Sequence, residues 1–314
     1  MRDIRIVALA GAGIMGAAIA QVVSGQAEQV IVYDTAPAQF TAFFKMIGQA
    51  QQALIESGLL TPDGAQAALA RIQTTADLAA FSKADLVIES IVENLGAKQA
   101  LFTKLEQICP AETIFATNTS SLRIGDIAAP LQRKACFLGA NWWTPAHIIP
   151  LVEVVRIPET TDSSVDRLCG FLRALGKQPV ILNREADGFI GNRLQFALLR
   201  EALYIVEQGI AEPEAVDLVM TAGLGMRYAV LGPFRTADFG GLDTFYHIAN
   251  NLFSHLCTDQ EAPAALARLY QAGKYGAKTE EGFYRYGSGQ LEQALKQRDQ
   301  ALIAILKLAK EQPE

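Results

Sequence analysis

Three glycines fall within six residues, Gly11-Ala12-Gly13-Ile14-Met15-Gly16, and a carboxylate, Asp34, follows 18 positions after the last of them. A glycine-rich turn alone carries little meaning. Here the apolar run Ile4–Ala10 precedes it and an alanine-rich, helix-forming stretch to about Ser24 follows it. A second β-branched run, Val30-Ile31-Val32-Tyr33, then ends at Asp34. Strand, glycine turn, helix, strand and acid, in that order, make a dinucleotide site. Gly11 permits the tight turn, Gly13 lets the backbone approach a pyrophosphate, and Gly16 lets the helix pack close to the strand. The helix N-terminus at Ile14 and Met15 then faces the anion. Asp34 is placed to accept hydrogen bonds from the hydroxyls of an adenosine ribose, and it would repel a 2′-phosphate. Thr35 and Ala36 offer no cation to hold such a phosphate. The cofactor expected is NAD rather than NADP.

These residues need a sheet to hold them. After Asp34 the composition is helical over Gln39–Ser57, turns at Thr61-Pro62-Asp63-Gly64, and is helical again to Arg71, which reads as an inserted helical hairpin. Strands follow at Ala84–Glu89, Thr113–Ala116, Cys136–Ala140, Leu151–Val155 and Pro179–Leu182, with helices at Ala97–Ile108 and Ser163–Leu175. This alternation predicts an α/β fold, a doubly wound Rossmann-type sheet. From Gly188 the strand signal stops. Ile190–Glu207, Glu212–Thr221, Asp243–Leu256, Pro263–Gln271 and Gln290–Lys310 all favour helices. The expected division is 1–186 for the NAD-binding domain and 187–314 for an all-helical substrate and dimerisation domain.

Composition agrees with a folded enzyme-sized protein. The chain has 314 residues, half of them hydrophobic, and 27 basic against 33 acidic residues give a net charge of −6. That balance speaks against a nucleic-acid partner. Cys109, Cys136, Cys169 and Cys257 are scattered without a CxxC pair, so neither a metal site nor a disulfide framework is expected. No apolar run reaches the roughly 18 residues of a membrane span. The first residues lead into a strand rather than a signal peptide. A cytoplasmic protein without a membrane partner is expected.

Taken together, further motifs resemble the 3-hydroxyacyl-CoA dehydrogenase superfamily along nearly the whole chain. They are Ile88-Glu89-Ser90-Ile91-Val92-Glu93-Asn94, Asn118-Thr119-Ser120-Ser121, Leu151-Val152-Glu153-Val154 and Gly188-Phe189-Ile190-Gly191-Asn192-Arg193. Gly232-Pro233, Gly241-Leu242-Asp243 and Glu281-Gly282-Phe283-Tyr284 follow in the same order. The resemblance implies a helical second domain that forms a homodimer and closes over a small-molecule substrate. It implies that Glu93 and Lys98 contact the cofactor near the nicotinamide ribose, with Asn118 close to the nicotinamide. Ser120 would hydrogen-bond the reacting oxygen, Asn192 would add a second polar contact from the helical domain, and Glu153 would orient a catalytic histidine.

That histidine is missing. The family's His-x-x-Asn-Pro element reads Asn141-Trp142-Trp143-Thr144-Pro145 here. An amide has no protonation equilibrium near neutral pH. Three readings are open: an introduced change in a parent with histidine, a natural change leaving a slow enzyme or a binding protein, or a base supplied elsewhere, for which His147 is the nearby residue. The leading activity is NAD-linked interconversion of a 3-hydroxyacyl-CoA and its 3-keto form, as in fatty acid metabolism. A second branch is resembled too, that of lambda-crystallin and L-gulonate 3-dehydrogenase, through Ile149-Pro150-Leu151-Val152-Glu153, Asn192-Arg193-Leu194-Gln195 and Gly223-Leu224-Gly225-Met226-Arg227-Tyr228. That branch, like carnitine dehydrogenase, oxidises free 3-hydroxy acids, and Arg227 or Arg235 could hold a carboxylate. The resemblance implies that the inserted hairpin helps bind CoA in the acyl-CoA enzymes, and here the segment 39–76 contains only Lys45 and Arg71 as cations, a sparse attraction for CoA. A catalytically silent NAD-binding relative is the third possibility.

Overall fold

The computed structural model describes residues 3–287 and 289–311. Two compact units emerge, Met1–Asn192 and Arg193–Glu314. The first is a single eight-stranded sheet in the order β3-β2-β1-β4-β5-β6-β7-β8. Its strands are β1 (Ile6–Ala10), β2 (Gln29–Tyr33), β3 (Ile72–Thr75), β4 (Leu86–Glu89), β5 (Ile114–Thr117), β6 (Phe137–Trp142), β7 (Leu151–Arg156) and β8 (Gln178–Leu182). Every pairing is parallel except β6 with β7, so the last two strands run against the others. The 3-2-1-4-5-6 core is the doubly wound dinucleotide-binding order, with its crevice outside the carboxyl ends of β1 and β4.

Helices cover both faces. The helices α1 (Ile14–Val23), α2 (Gln39–Glu56), α3 (Pro62–Ala70), α4 (Leu95–Ile108), α5 (Ile124–Ala128) and α6 (Asp162–Ala174) belong to this unit. Successive side chains of β1 point to opposite faces, which puts Val7 and Leu9 in one apolar cluster and Ala8 and Ala10 in the other. The first cluster packs under α1, α2 and α6 with Ile19, Phe43, Ile47 and Leu168. The second packs under α4 and α5 with Phe102, Leu105 and Ile127. Strands buried on both faces read as unbroken apolar runs, which is why they are visible in sequence.

The second unit is helical. The helix α7 (Gly191–Glu207) enters it, followed by α8 (Pro213–Val219), a wider π-type turn at Met220–Leu224, then α9 (Gly225–Tyr228), α10 (Pro233–Gly240), α11 (Leu242–Leu252), α12 (Ala264–Gln271) and α13 (Gln290–Glu311). Within it Glu201 and Glu207 on α7 accept from the backbone N–H groups of Cys257 and Ala265. Tyr284 donates to Asp217 at 2.6 Å, which pushes the phenol up to about 12. No single described helix is long and apolar enough to cross a membrane.

Candidate active site

The glycine turn is forced by its surroundings. Gly11 has φ +108°, and a Cβ there would lie 2.4 Å from the carbonyl oxygen of Ser90. A Cβ on Gly16 would lie 2.0 Å from the Gly11 carbonyl oxygen. Around Gly13, by contrast, the space is open, and no side chain caps α1. The first N–H groups of α1 are thereby left for an anion, as a pyrophosphate requires. Ile14 is exposed, and Met15 Sδ accepts from the Thr144 hydroxyl at 3.0 Å. Asp34 already works on this loop: Oδ2 accepts from Ala12 N–H and Oδ1 from Ala36 N–H, both at 2.9 Å. Each oxygen retains a lone pair for a ribose hydroxyl. The residues present fit NAD.

Two charged constellations occupy the carboxyl ends of the neighbouring strands. In the first, the Lys98 ammonium on α4 is wholly buried, 2.6 Å from Glu89 Oε1 and 3.1 Å from Glu93 Oε2. Glu93 Oε1 accepts from Thr119 Oγ1 and from Ser121 Oγ at 2.9 Å. Burial pushes the Glu93 carboxyl up, but the Thr119 hydrogen bond, the Lys98 charge and the Ser121 hydrogen bond outweigh it and hold it below the usual carboxylate range. Asn118 stands alongside, its Oδ1 accepting from Trp142 N–H at 2.9 Å and its N–H bonded to the Glu89 carbonyl.

The second constellation centres on Glu153, 1% exposed and paired in register with Asn141 across β6 and β7. Four donors converge on it. Asn141 Nδ2 (3.0 Å) and Trp143 Nε1 (3.2 Å) reach Oε2, while the N–H groups of Ile190 and Gly191, both 2.9 Å, reach Oε1. Among the described residues no cation pairs with it. Four hydrogen bonds are what a buried carboxylate without a counter-charge needs. The two backbone donors come from a strained turn: Gly188 has φ +76° and buried Phe189 φ +53°. A bulky residue there costs of order 1–3 kcal/mol. Gly191 must lack a side chain, since a Cβ would sit 2.1 Å from the Trp143 ring.

Chain comparison settles the family. Residues 6–186 match the NAD-binding domain of 3-hydroxyacyl-CoA dehydrogenases, and residues 188–286 match their C-terminal domain. The chain belongs to the 3-hydroxyacyl-CoA dehydrogenase family. It is 40% identical over 277 residues to a probable 3-hydroxybutyryl-CoA dehydrogenase of Deinococcus radiodurans, covering 88% of this chain and 98% of that protein. It is 32% identical over 307 residues to 5-formyl-3-hydroxy-2-methylpyridine 4-carboxylate 5-dehydrogenase of Mesorhizobium japonicum, covering 97% and 98%. A crystal structure of a 5-formyl-3-hydroxy-2-methylpyridine 4-carboxylic acid 5-dehydrogenase, described as an NAD+-dependent dismutase, superposes with a TM-score of 0.91 at 30% identity over 99% of this chain and all of that one. As a family member the protein is an NAD-dependent oxidoreductase.

Most of the residues singled out from sequence gather at this one edge of the sheet. Gly11, Gly13, Ile14, Met15, Gly16 and Asp34 surround the end of β1. Glu93, Lys98, Asn118 and Ser120 sit beyond β4 and β5, and Asn141 and Glu153 lie on β6 and β7. Asn192 lies in the first turn of α7, within the matched C-terminal domain, and its Nδ2 donates to the Ser120 carbonyl at 3.0 Å. The Lys98 ammonium is committed to two carboxylates, so its influence on a cofactor runs through Glu93. Sequence reasoning passed over Glu89, Trp143 and the Ile190 and Gly191 amides. The Glu89, Glu93, Lys98 spacing was a usable signal for the first; backbone donors leave none.

Proposed function

We propose that this family member oxidises a small 3-hydroxy acid bearing a free carboxylate, or reduces the corresponding keto acid. NAD, when bound, supplies the hydride acceptor. Ser120 and Asn192 hold the reacting oxygen. Asn141, with Nδ2 engaged by Glu153, offers that oxygen a hydrogen bond but no proton exchange. The observation that carries the choice of substrate is Arg71. Its guanidinium donates to the carbonyls of Ser24 (2.8 Å) and Gly25 (3.3 Å) at the end of α1. Of the two cations in the segment 39–76, only Lys45 is left uncommitted, and one exposed lysine is little against the several phosphate charges of CoA. The near-complete coverage of the Mesorhizobium enzyme, whose named substrate carries a free carboxylate, supports the free acid over the thioester.

A CoA thioester is the second reading, favoured by the 40% identity to the Deinococcus protein. Initial rates of NADH formation separate the two, measured for the parent and for Asn141→His with 3-hydroxybutyryl-CoA, free 3-hydroxybutyrate, carnitine and L-gulonate. Higher kcat/KM on the free acids is expected. Preference for the thioester overturns the proposal, and no turnover by either chain despite intact NAD binding points to a cofactor-binding protein.

The same proposal includes a homodimer built through the second unit. Leu218, Val219, Met226, Phe234, Phe239, Tyr246 and Phe253 are all more than half exposed, Phe234 at 87%. So many large apolar side chains rarely face water in a monomer. Light scattering should return twice the chain mass; a monomer at micromolar concentration would refute it.

A further inference from the structure

We propose that Glu89 is a positioning residue for the nicotinamide half of the cofactor site, acting through Lys98 and Glu93; this rests on the family's NAD binding and not on the choice of substrate. Glu89 closes β4 at the centre of the sheet edge, in register with Ala10 of β1 and Thr117 of β5. Its side chain is wholly buried. Oε1 accepts from Lys98 Nζ at 2.6 Å and from Ile91 N–H at 2.8 Å, and Oε2 accepts from Thr117 Oγ1 at 2.6 Å.

What it does is hold a cation where a cation does not belong. Lys98 lies in the first turn of α4, whose N-terminus disfavours positive charge, and no water reaches its ammonium. Glu89 offsets both effects. So anchored, the ammonium takes Glu93 Oε2, and Glu93 Oε1 is turned to Thr119 and Ser121, the two neighbours of Ser120. One buried carboxylate thereby fixes two loops, Ser90–Asn94 and Asn118–Ser121, at the ends of β4 and β5.

Both loops follow strands of the second mononucleotide half, although Ser90 also lies against Gly11 of the glycine turn. Gly11–Gly16 and Asp34, after β1 and β2, serve the adenosine and the pyrophosphate. The second mononucleotide half of a doubly wound sheet is built on β4, β5 and β6. Removing the Glu89 charge therefore should loosen the nicotinamide side and spare the adenosine side, which a loss of general stability would not do.

Calorimetric titration of the full chain with NADH and with ADP tests this. Glu89→Gln keeps the shape and removes the charge; it is expected to weaken NADH by about tenfold or more while ADP changes by less than about twofold. A ratio between the two changes below about threefold, including no change in either, overturns the proposal. Where Glu89→Gln fails to fold, Thr117→Val decides. It deletes one hydrogen bond to Glu89 without touching a charge, and should weaken NADH about threefold relative to ADP, with a ratio below about twofold overturning the proposal.

Discussion

Placing a histidine at position 141 tests the reading of the site most directly. Asn141 Nδ2 donates to Glu153 Oε2 at 3.0 Å. An imidazole carries its Nδ1 on the same γ-carbon, so Nδ1–H can take over that bond and leave Nε2 as the base. General acid–base catalysis contributes about 10²–10⁴-fold. Glu153 already shares its charge among three other donors, Trp143, Ile190 and Gly191. It will stabilise an imidazolium less than an uncommitted carboxylate would, which places the gain in the lower half of the range, about 10²–10³. That corresponds to about 3–4 kcal/mol off the barrier. The assay is the initial rate of NADH formation across pH. In the oxidation direction the base must be unprotonated, so kcat/KM of Asn141→His should rise with pH through a bend near the ordinary histidine value of about 6.5. The parent should lack that bend. A folded Asn141→His protein with parental NAD affinity and an unchanged rate would refute the role given to position 141.

Other consequences are equally open to measurement. NAD should bind at least about a hundredfold tighter than NADP, because Asp34 loses charge-assisted bonds of roughly 1.5–3 kcal/mol and gains repulsion when the 2′-hydroxyl becomes a phosphate; equal affinities by calorimetry would show that Asp34 does not face the ribose. The lowered Glu93 carboxyl stabilises the fold above its ordinary value of 4.5, and this contribution is lost as pH falls through the lowered folded value. Glu93→Gln should therefore be less stable than the parent at neutral pH, with the gap in Tm closing on acidification, and a gap independent of pH contradicts the assignment. Gly191→Ala drives a Cβ to within 2.1 Å of the Trp143 ring and should cost about 1–3 kcal/mol of stability, seen as a lower urea midpoint. An unchanged midpoint would mean that Trp143 can leave Glu153 freely.

What could be read from the sequence was what periodicity and local chemistry carry. The buried parallel strands, the glycine turn and Asp34 announce themselves because each satisfies its physics within a few residues. The strand β3, Ile72-Gln73-Thr74-Thr75, did not, since a sheet edge needs only one buried side chain, and Ile72 supplies it. Nor did α10, because Gly232, Pro233 and the two glycines after Phe239 read as breakers although they cap the helix. The expected boundary at 186 follows the end of the strand signal and falls where the two family matches meet, 6–186 and 188–286, while the compact units divide after Asn192. The intervening turn is held to the sheet by amides on Glu153 and by Asn192 on Ser120, contacts between residues tens of positions apart.

The same distinction explains the active site. Glu93, Lys98 and Glu153 are legible as charges in recognisable motifs, but their partners are set by the fold. Among the described residues no cation neutralises Glu153; it is solvated by two amides from a turn containing a left-handed Phe189, an indole and the Asn141 amide. That arrangement bears on why Asn141 is tolerated. Loss of an imidazole normally strands its carboxylate partner, at a cost of about 1–3 kcal/mol for the unsatisfied group. An amide donates from the same branch of the side chain, so Glu153 remains satisfied and the fold is spared, although an amide itself exchanges no proton near neutral pH. Chemistry and stability are thus separable at position 141. Asn141→Ala should lower stability where Asn141→His does not, and equal stability of the two variants would show that the fourth donor is dispensable.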